Sequence, residues 1–280
     1  MQLYCGSRIL DLSTPVVMGV LNVTPDSFSD GGKFLDLSNA LARVAEMVAE
    51  GAAIIDVGGE STRPGATDIG EAEELQRVVP VIEAICSRYD VLVSVDTSKA
   101  VVMRAALAVG AHIINDVRAL TLPGAIEAAA ASNAAVCLMH MQGQPDSMQL
   151  QPDYPNVVDA VSAFLRARID ACAEQGIAAN RIVVDPGIGF GKTVAHNLEL
   201  LAHLPALRRL GMPLMIGVSR KSMIGKLLDR NVDQRLAGGL ALATASVLAG
   251  AKIIRSHEVA ATCDAVRMAQ ALINAEYSTR

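Results

Sequence analysis

The sequence predicts a single α/β domain folded as a (β/α)8 TIM barrel, and three observations carry the expectation. Eight short apolar runs rich in Val and Ile recur along the 280 residues, segments of helical periodicity separate them, and each run ends on polar residues. Runs this short and this continuously apolar suit parallel strands buried on both faces. Eight such units fill the roughly 250 residues of a closed barrel, whose active sites are built at the C-terminal ends of the strands. A doubly wound open sheet uses the same units and stands as the alternative.

The runs lie at residues 18–22, 54–56, 91–96, 113–116, 136–140, 182–185, 214–219 and 253–257. Helices are expected at 37–50, 71–88, 100–109, 123–131, 157–175, 194–203, 234–249 and 259–276, with Gly51, Gly110, Gly176, Gly211 and Gly250 where several of them must stop. Residues 1–13 precede the first unit. Their turn at Cys5-Gly6-Ser7 between apolar residues predicts a short N-terminal β-hairpin covering the barrel bottom. No linker or low-complexity tract divides the chain, so residues 1–280 are read as one domain.

A hydrophobic content of 51% supports one large core. The net charge of -5, the absence of Trp and of any Lys/Arg run, and 3% aromatics argue against a nucleic-acid footprint. An anionic ligand must then meet a local basic cluster. Five scattered cysteines without C-x-x-C spacing indicate neither a disulfide framework nor a zinc site, which fits a reducing cytoplasm. Leu3-Tyr4-Cys5-Gly6 loosely resembles a lipoprotein cleavage site, but no apolar stretch precedes it, and no processing is expected. The uncharged stretch 236–251 falls short of the roughly 20 residues of a membrane span. It reads as a buried helix packed through small residues, or as a subunit interface.

Asp96, Asn115 and Asp185 each stand at the end of an apolar run, where a buried carboxylate or amide is costly without a polar partner. A ligand rich in N–H groups supplies that partner, and Lys221 and Arg255 add donors for a carbonyl edge, so a planar heterocycle is indicated. Helix capping accounts for any one of these residues but not for all together. Asn22, Thr62, Arg63, Arg255 and His257 form a second group able to clamp phosphate oxygens, with the Asn22 amide oxygen suited to a hard cation such as Mg2+. His112, His196 and His203 lack metal-ligand spacing and are assigned structural roles. The segment from Pro186 to Thr193 misses the nucleotide P-loop pattern only at Pro186, but Asp185 would set a carboxylate at the mouth of the phosphate cradle, and nucleotide hydrolysis is not expected.

Eight motifs in order carry a resemblance: the segment around Asn22, Ile55-Asp-Val-Gly-Gly-Glu-Ser-Thr-Arg-Pro-Gly65, Ser94-Val-Asp-Thr-Ser98, His112-Ile-Ile-Asn-Asp116, Met139-His140, Asp185-Pro-Gly187, Gly189-Phe-Gly191 and Ser219-Arg-Lys-Ser222. Over residues 18–257 the chain resembles the bacterial dihydropteroate synthases. The resemblance implies a TIM barrel, a homodimer, a Mg2+ requirement, and condensation of 6-hydroxymethyl-7,8-dihydropterin diphosphate with p-aminobenzoate in folate synthesis. It places the pterin on Asp96, Asn115, Asp185 and Lys221, with Met139, Phe190 and Arg255 against its ring; Asp96, Asp185, Lys221 and Arg255 are the implied catalytic set. Asn22 would hold Mg2+, and Asn22, Thr62, Arg63, Arg255 and His257 would receive the diphosphate. Thr24, Pro25, Ser27, Phe28, Thr62, Arg63 and Pro64 would close over p-aminobenzoate beside Phe190 and Lys221, its carboxylate meeting Ser222 where a helix is expected to begin. Sulfonamides, which mimic p-aminobenzoate in this family, are expected to retain their effect, since no insertion stands beside Phe28.

Departures from the family pattern are confined to Val117, Ile188 and Ser256, and remove no functional group. Two rivals stay open: a methyltransferase that moves the methyl group of a reduced folate to a corrinoid protein, and a pterin-binding protein without turnover. The first does not require Thr62-Arg63 or Ser219-Arg-Lys-Ser222, which this chain has.

Overall fold

The computed structural model describes residues 1–23, 33–60, 69–143, 148 and 152–278. Two strands, β1 (Gln2–Cys5) and β2 (Arg8–Asp11), form an antiparallel hairpin. Eight parallel strands follow: β3 (Val16–Asn22), β4 (Ile54–Gly58), β5 (Leu92–Asp96), β6 (Ile113–Asp116), β7 (Ala135–Met139), β8 (Ile182–Asp185), β9 (Met215–Gly217) and β10 (Ile253–Ser256). Their order is β8-β7-β6-β5-β4-β3-β10-β9, and a bridge between Val184 and Leu214 brings the two edges together. The Val184 N–H donates to the Pro213 carbonyl at 3.0 Å. The sheet is therefore a barrel, and the open-sheet alternative falls.

Alternation along each strand divides the residues into two sets. Outward residues such as Val17, Ile55, Val93, Ile114 and Val184 pack under the helices. Inward residues change with height. At the bottom they are apolar, Met18, Ile54, Leu92, Ile113, Met215 and Ile253, and Leu3, Cys5 and Leu12 of the hairpin region close over them. At the top they are polar: Asn22, Asp96, Asn115 and Asp185 line the space above the barrel. The hairpin reaches its place through a two-residue turn with Gly6 at φ +67°, whose N–H donates to the Asn133 carbonyl at 2.8 Å.

The helices are α1 (Lys33–Ala49), α2 (Glu71–Arg88), α3 (Ala100–Ala108), α4 (Ala125–Ala130), α5 (Val157–Glu174), α6 (Val194–Ala202), α7 (Leu204–Leu207), α8 (Ser222–Leu228), α9 (Leu236–Leu248) and α10 (Val259–Ser278). The one-turn α7 had no separate signal in the sequence. The stretch 236–251 departs from the expectation of a buried helix: α9 buries Ala243, Ser246 and Val247, while Leu236 and Leu248 are 44% and 50% exposed. Its apolar residues run around the whole helix, and within one chain only one side finds a partner. Among the described residues no helix is long and apolar enough to cross a membrane.

Candidate active site

The polar top of the barrel opens into a cavity of ≈ 750 Å³, within the range of small-molecule sites. Strand register sets its floor. Asn22, Gly58, Asp96 and Asn115 stand in one row across β3, β4, β5 and β6. Gly58 adds no side chain to the row; a Cβ there would make ordinary contact, 3.5 Å from the Asp96 Cβ and 3.8 Å from the Asn22 amide oxygen. Met139 and Asp185 pair in the next two strands, and Arg255 enters from β10.

Arg255 organises the charges. Its Nε donates to Asp56 Oδ2 at 2.7 Å and its Nη2 to Asp96 Oδ2 at 2.7 Å, while Asn115 Nδ2 donates to the same Asp56 oxygen at 3.0 Å. Asp56, fully buried on β4, is a residue that the sequence reading left out of the site. The signal was present in the run Ile54-Ile55-Asp56, but the strand continues to Gly58, so Asp56 lies one inward layer below the cavity and holds Arg255 from beneath. Among the described residues its Oδ1 has no hydrogen-bond partner, and neither has Ser94 Oγ on the adjacent strand.

Burial raises Asp96 above the usual carboxylate range, with Arg255 pulling it down and the like charge of Asp56 pushing it up. Asp185 is also raised by burial, against the Gly187 N–H that donates to its Oδ1 at 2.6 Å and against the nearby Lys221 charge. Burial lowers Lys221 to about 8, opposed by Asp185. For Arg255 burial also works against the charge, but Asp56 and Asp96 outweigh it and keep the guanidinium ionised.

Lys221 is the residue before α8, brought inward by Arg220 at φ +58°, and its ammonium lies 4.1 Å from the centre of the Phe190 ring. Ser222 is the first residue of α8 and lines the cavity. His257 also lines it, with its Nδ1 2.8 Å from Ser219 Oγ. Asn22 sits half-buried at the end of β3 on the same cavity. The structure thus gathers Asn22, Asp96, Asn115, Met139, Asp185, Phe190, Lys221, Ser222, Arg255 and His257 around one space. Thr24, Pro25, Ser27, Phe28, Thr62, Arg63 and Pro64 lie outside the described residues.

Lys99 is a second residue absent from the sequence reading. Its Nζ reaches Glu60 Oε2 at 2.9 Å, Glu74 Oε2 at 2.9 Å and the Ile69 carbonyl at 2.6 Å, joining the two flanks of the segment that carries Thr62 and Arg63. Asp116 closes a turn, accepting from the N–H groups of Arg118 and Leu120 at 2.8 Å each.

Comparison with known proteins gives the same direction. The family model described as pterin binding enzyme matches residues 18–257. The dihydropteroate synthase of Haemophilus influenzae is 54% identical over 275 residues, covering 98% of this chain and all of that protein. The chain belongs to the dihydropteroate synthase family. The Yersinia pestis dihydropteroate synthase, solved with a sulfonamide drug complex, superposes with a TM-score of 0.93 at 51% identity, over 98% of this chain and 100% of that one. The Xanthomonas albilineans dihydropteroate synthase, solved with 4-aminobenzoic acid, gives a TM-score of 0.92 at 49% identity, over 97% of each chain.

Within this dihydropteroate synthase family fold, the P-loop-like segment has another use. Lys192 Nζ faces the carbonyls of His140, Gly187 and Phe190 in the interior. The three departures are packing or capping positions: Val117 and Ile188 are buried at the cavity wall, and Ser256 Oγ accepts from the Glu258 N–H at 3.2 Å just ahead of α10.

Proposed function

We infer that the chain condenses 6-hydroxymethyl-7,8-dihydropterin diphosphate with p-aminobenzoate, giving 7,8-dihydropteroate and diphosphate. The observation that carries this reading is the convergence of Asp96, Asn115, Asp185, Lys221 and Arg255 on one cavity. Carboxylates and an amide oxygen accept from the N–H edge of a pterin, and Lys221 donates to its carbonyl and ring nitrogen. Met139 and Phe190 supply apolar faces.

In the reaction the bond between the 6-methylene carbon and the bridging oxygen breaks, and the electron pair leaves with diphosphate. Positive charge spreads from the methylene carbon into the dihydropterin ring. The aryl amine nitrogen then forms the new C–N bond and loses a proton; its basicity is low enough that it is already neutral and nucleophilic near pH 7. Asp96 and Asp185, which line the cavity, stabilise the cationic ring. Arg255 spends two of its five N–H donors on Asp56 and Asp96, which leaves others for the departing anion beside His257, with Thr62 and Arg63. Both poles of the transition state gain more than the ground state does.

Asn22 is the residue that would hold Mg2+. One hard amide oxygen beside a diphosphate suits a cation that keeps most of its ligands as water and phosphate oxygens, and among the described residues no cluster of acidic, His or Cys side chains offers a full cage. When bound, the metal would supply charge neutralisation to the diphosphate.

The exposed leucines of α9, with Leu227, Leu228, Met268 and Leu272 exposed on α8 and α10, support a homodimer through this side of the barrel. Five free cysteines support the reading of a cytoplasmic enzyme. Ser222 at the start of α8 meets the p-aminobenzoate carboxylate, and sulfonamides compete for that place. The deciding experiment is a coupled assay for diphosphate release. Release that depends on both the pterin diphosphate and p-aminobenzoate supports the condensation; pterin binding without release would favour a carrier.

A further inference from the structure

Lys192 is a buried amino group that the reaction above does not use. It closes the segment 186–191, which leaves the end of β8 at Asp185 and presses back against the exit of β7. The approach is close: a Cβ on Gly187, at φ +69°, would stand 1.9 Å from the His140 carbonyl oxygen, and one on Gly191, at φ +58°, would stand 2.3 Å from that of Gln142. A backbone folded this tightly turns carbonyls inward, where an unpaired acceptor is costly.

Lys192 Nζ meets them. It lies 3.0 Å from the Gly187 oxygen, 2.9 Å from the Phe190 oxygen, 3.3 Å from the His140 oxygen and 2.9 Å from His140 Nδ1. The amino group is thus set among four acceptors, and burial lowers its pKa to about 7, opposed by Asp185. Burial holds His140 down to about 3, so its ring is neutral, and in the Nε2–H tautomer Nδ1 accepts from Lys192. The rest of the segment is fixed too: Gly189 N–H donates to Asn197 Oδ1 at 2.7 Å, and Tyr154 OH donates to the Gly191 oxygen at 2.9 Å.

The segment shapes the cavity at two points. Phe190 lies under the Lys221 ammonium, and the Gly187 N–H occupies Oδ1 of Asp185, which sets the direction of the other carboxylate oxygen. We propose that Lys192 is the positioning residue of the heterocycle site, holding the Gly187, Phe190 and His140 carbonyls together so that Phe190 and the free oxygen of Asp185 stand where a pterin ring requires them. The proposal rests on the reading of the cavity as a pterin site, and it gives the lysine of the P-loop-like motif a task unrelated to phosphate.

The test compares wild type with Lys192→Met and Lys192→Gln. Calorimetry with 6-hydroxymethylpterin is run first on wild type, where absence of binding would defeat the functional reading itself. Given wild-type binding, Lys192→Met should bind the pterin at least tenfold more weakly, with Lys192→Gln, which keeps two N–H donors, in between. KM for the pterin diphosphate should rise in the same order, and by more than KM for p-aminobenzoate, whose site shares only Phe190 with the segment that Lys192 holds. Folded variants with wild-type pterin affinity, or with only a reduced active fraction and unmoved KM values, would overturn the proposal. Failure of both variants to fold would assign Lys192 to folding and overturn it as well.

Discussion

Asp56 holds Arg255 from one layer beneath the cavity, with its Oδ2 2.7 Å from the guanidinium Nε. The same oxygen accepts from Asn115, so one buried carboxylate orients two of the groups that face the ligand. Its charge also pushes the Asp96 carboxyl upward. Asp56→Asn removes that repulsion, and Asp96 should ionise at lower pH. The acid limb of kcat/KM is expected to move down in pH, and kcat/KM at pH 8 to fall as Arg255 loses its anchor. An acid limb that stays in place would separate Asp56 from Asp96.

The wild-type profile has its own signs. Asp96 must be ionised to accept from the pterin, and burial places its proton loss above the ordinary carboxylate range, so activity rises later than a solvent-exposed carboxylate would allow. Lys221 must be protonated to donate, and its loss near about 8 sets the alkaline limb. A bell in kcat/KM is therefore expected, and a flat profile through pH 9 would mean that Lys221 does not act as a cation. The ligand-free stability has the opposite sense on the acid side. A carboxyl whose folded pKa is raised binds its proton more tightly when folded, so its contribution falls as pH rises from the unfolded value through the folded one.

Asp185→Asn tests the ligand edge. One carboxylate oxygen is taken by the Gly187 N–H at 2.6 Å, leaving the other for the pterin. In the amide, only one of the two positions can accept. A charge-assisted hydrogen bond is worth about 1.5–3 kcal/mol, so pterin affinity should fall roughly tenfold or more. Calorimetry with unchanged affinity would reduce Asp185 to a turn residue.

Most of the barrel was legible because the strands are short and largely apolar on both faces, and several end on a polar residue that lines the cavity. Asp96, Asn115 and Asp185 could be found from strand ends alone. Asp56 and Lys99 could not. Asp56 belongs to the layer below the strand end, and a linear reading gives no depth. Lys99 works by joining Glu60, Ile69 and Glu74, which are brought near only by the packing of two successive units. For α9 the sequence left a buried helix and a subunit interface both open for the same reason: its composition is that of a core helix, and composition does not say whether the partner surface lies in the same chain.

Removal of divalent cation by EDTA should abolish turnover, and Mg2+ should restore it. Asn22→Ala is expected to raise the Mg2+ concentration needed for half-maximal rate, because the cation then keeps only water and diphosphate oxygens. Calorimetry should also show p-aminobenzoate binding tightly only after Mg2+ and diphosphate are present, since its expected contacts at Thr62 to Pro64 lie in the segment that also receives diphosphate. Tight binding of p-aminobenzoate to the bare protein would contradict that order.

The barrel bottom offers a control at the far end of the molecule. Leu3, 1% exposed, packs with Cys5 and Leu12 against the lowest inward residues of the barrel strands. Leu3→Ala leaves a cavity among side chains that are held by the barrel and cannot collapse into it, at a cost of about 2–5 kcal/mol. The polar row at Asn22, Asp96 and Asn115 lies at the opposite ends of the same strands, above an intervening inward layer that includes Asp56 and Ser94. Thermal and urea melts should therefore show the loss, while KM for both substrates stays within about twofold. A large rise in KM without a loss of stability would show that the hairpin is coupled to the site through the barrel interior, and that the two ends are not independent.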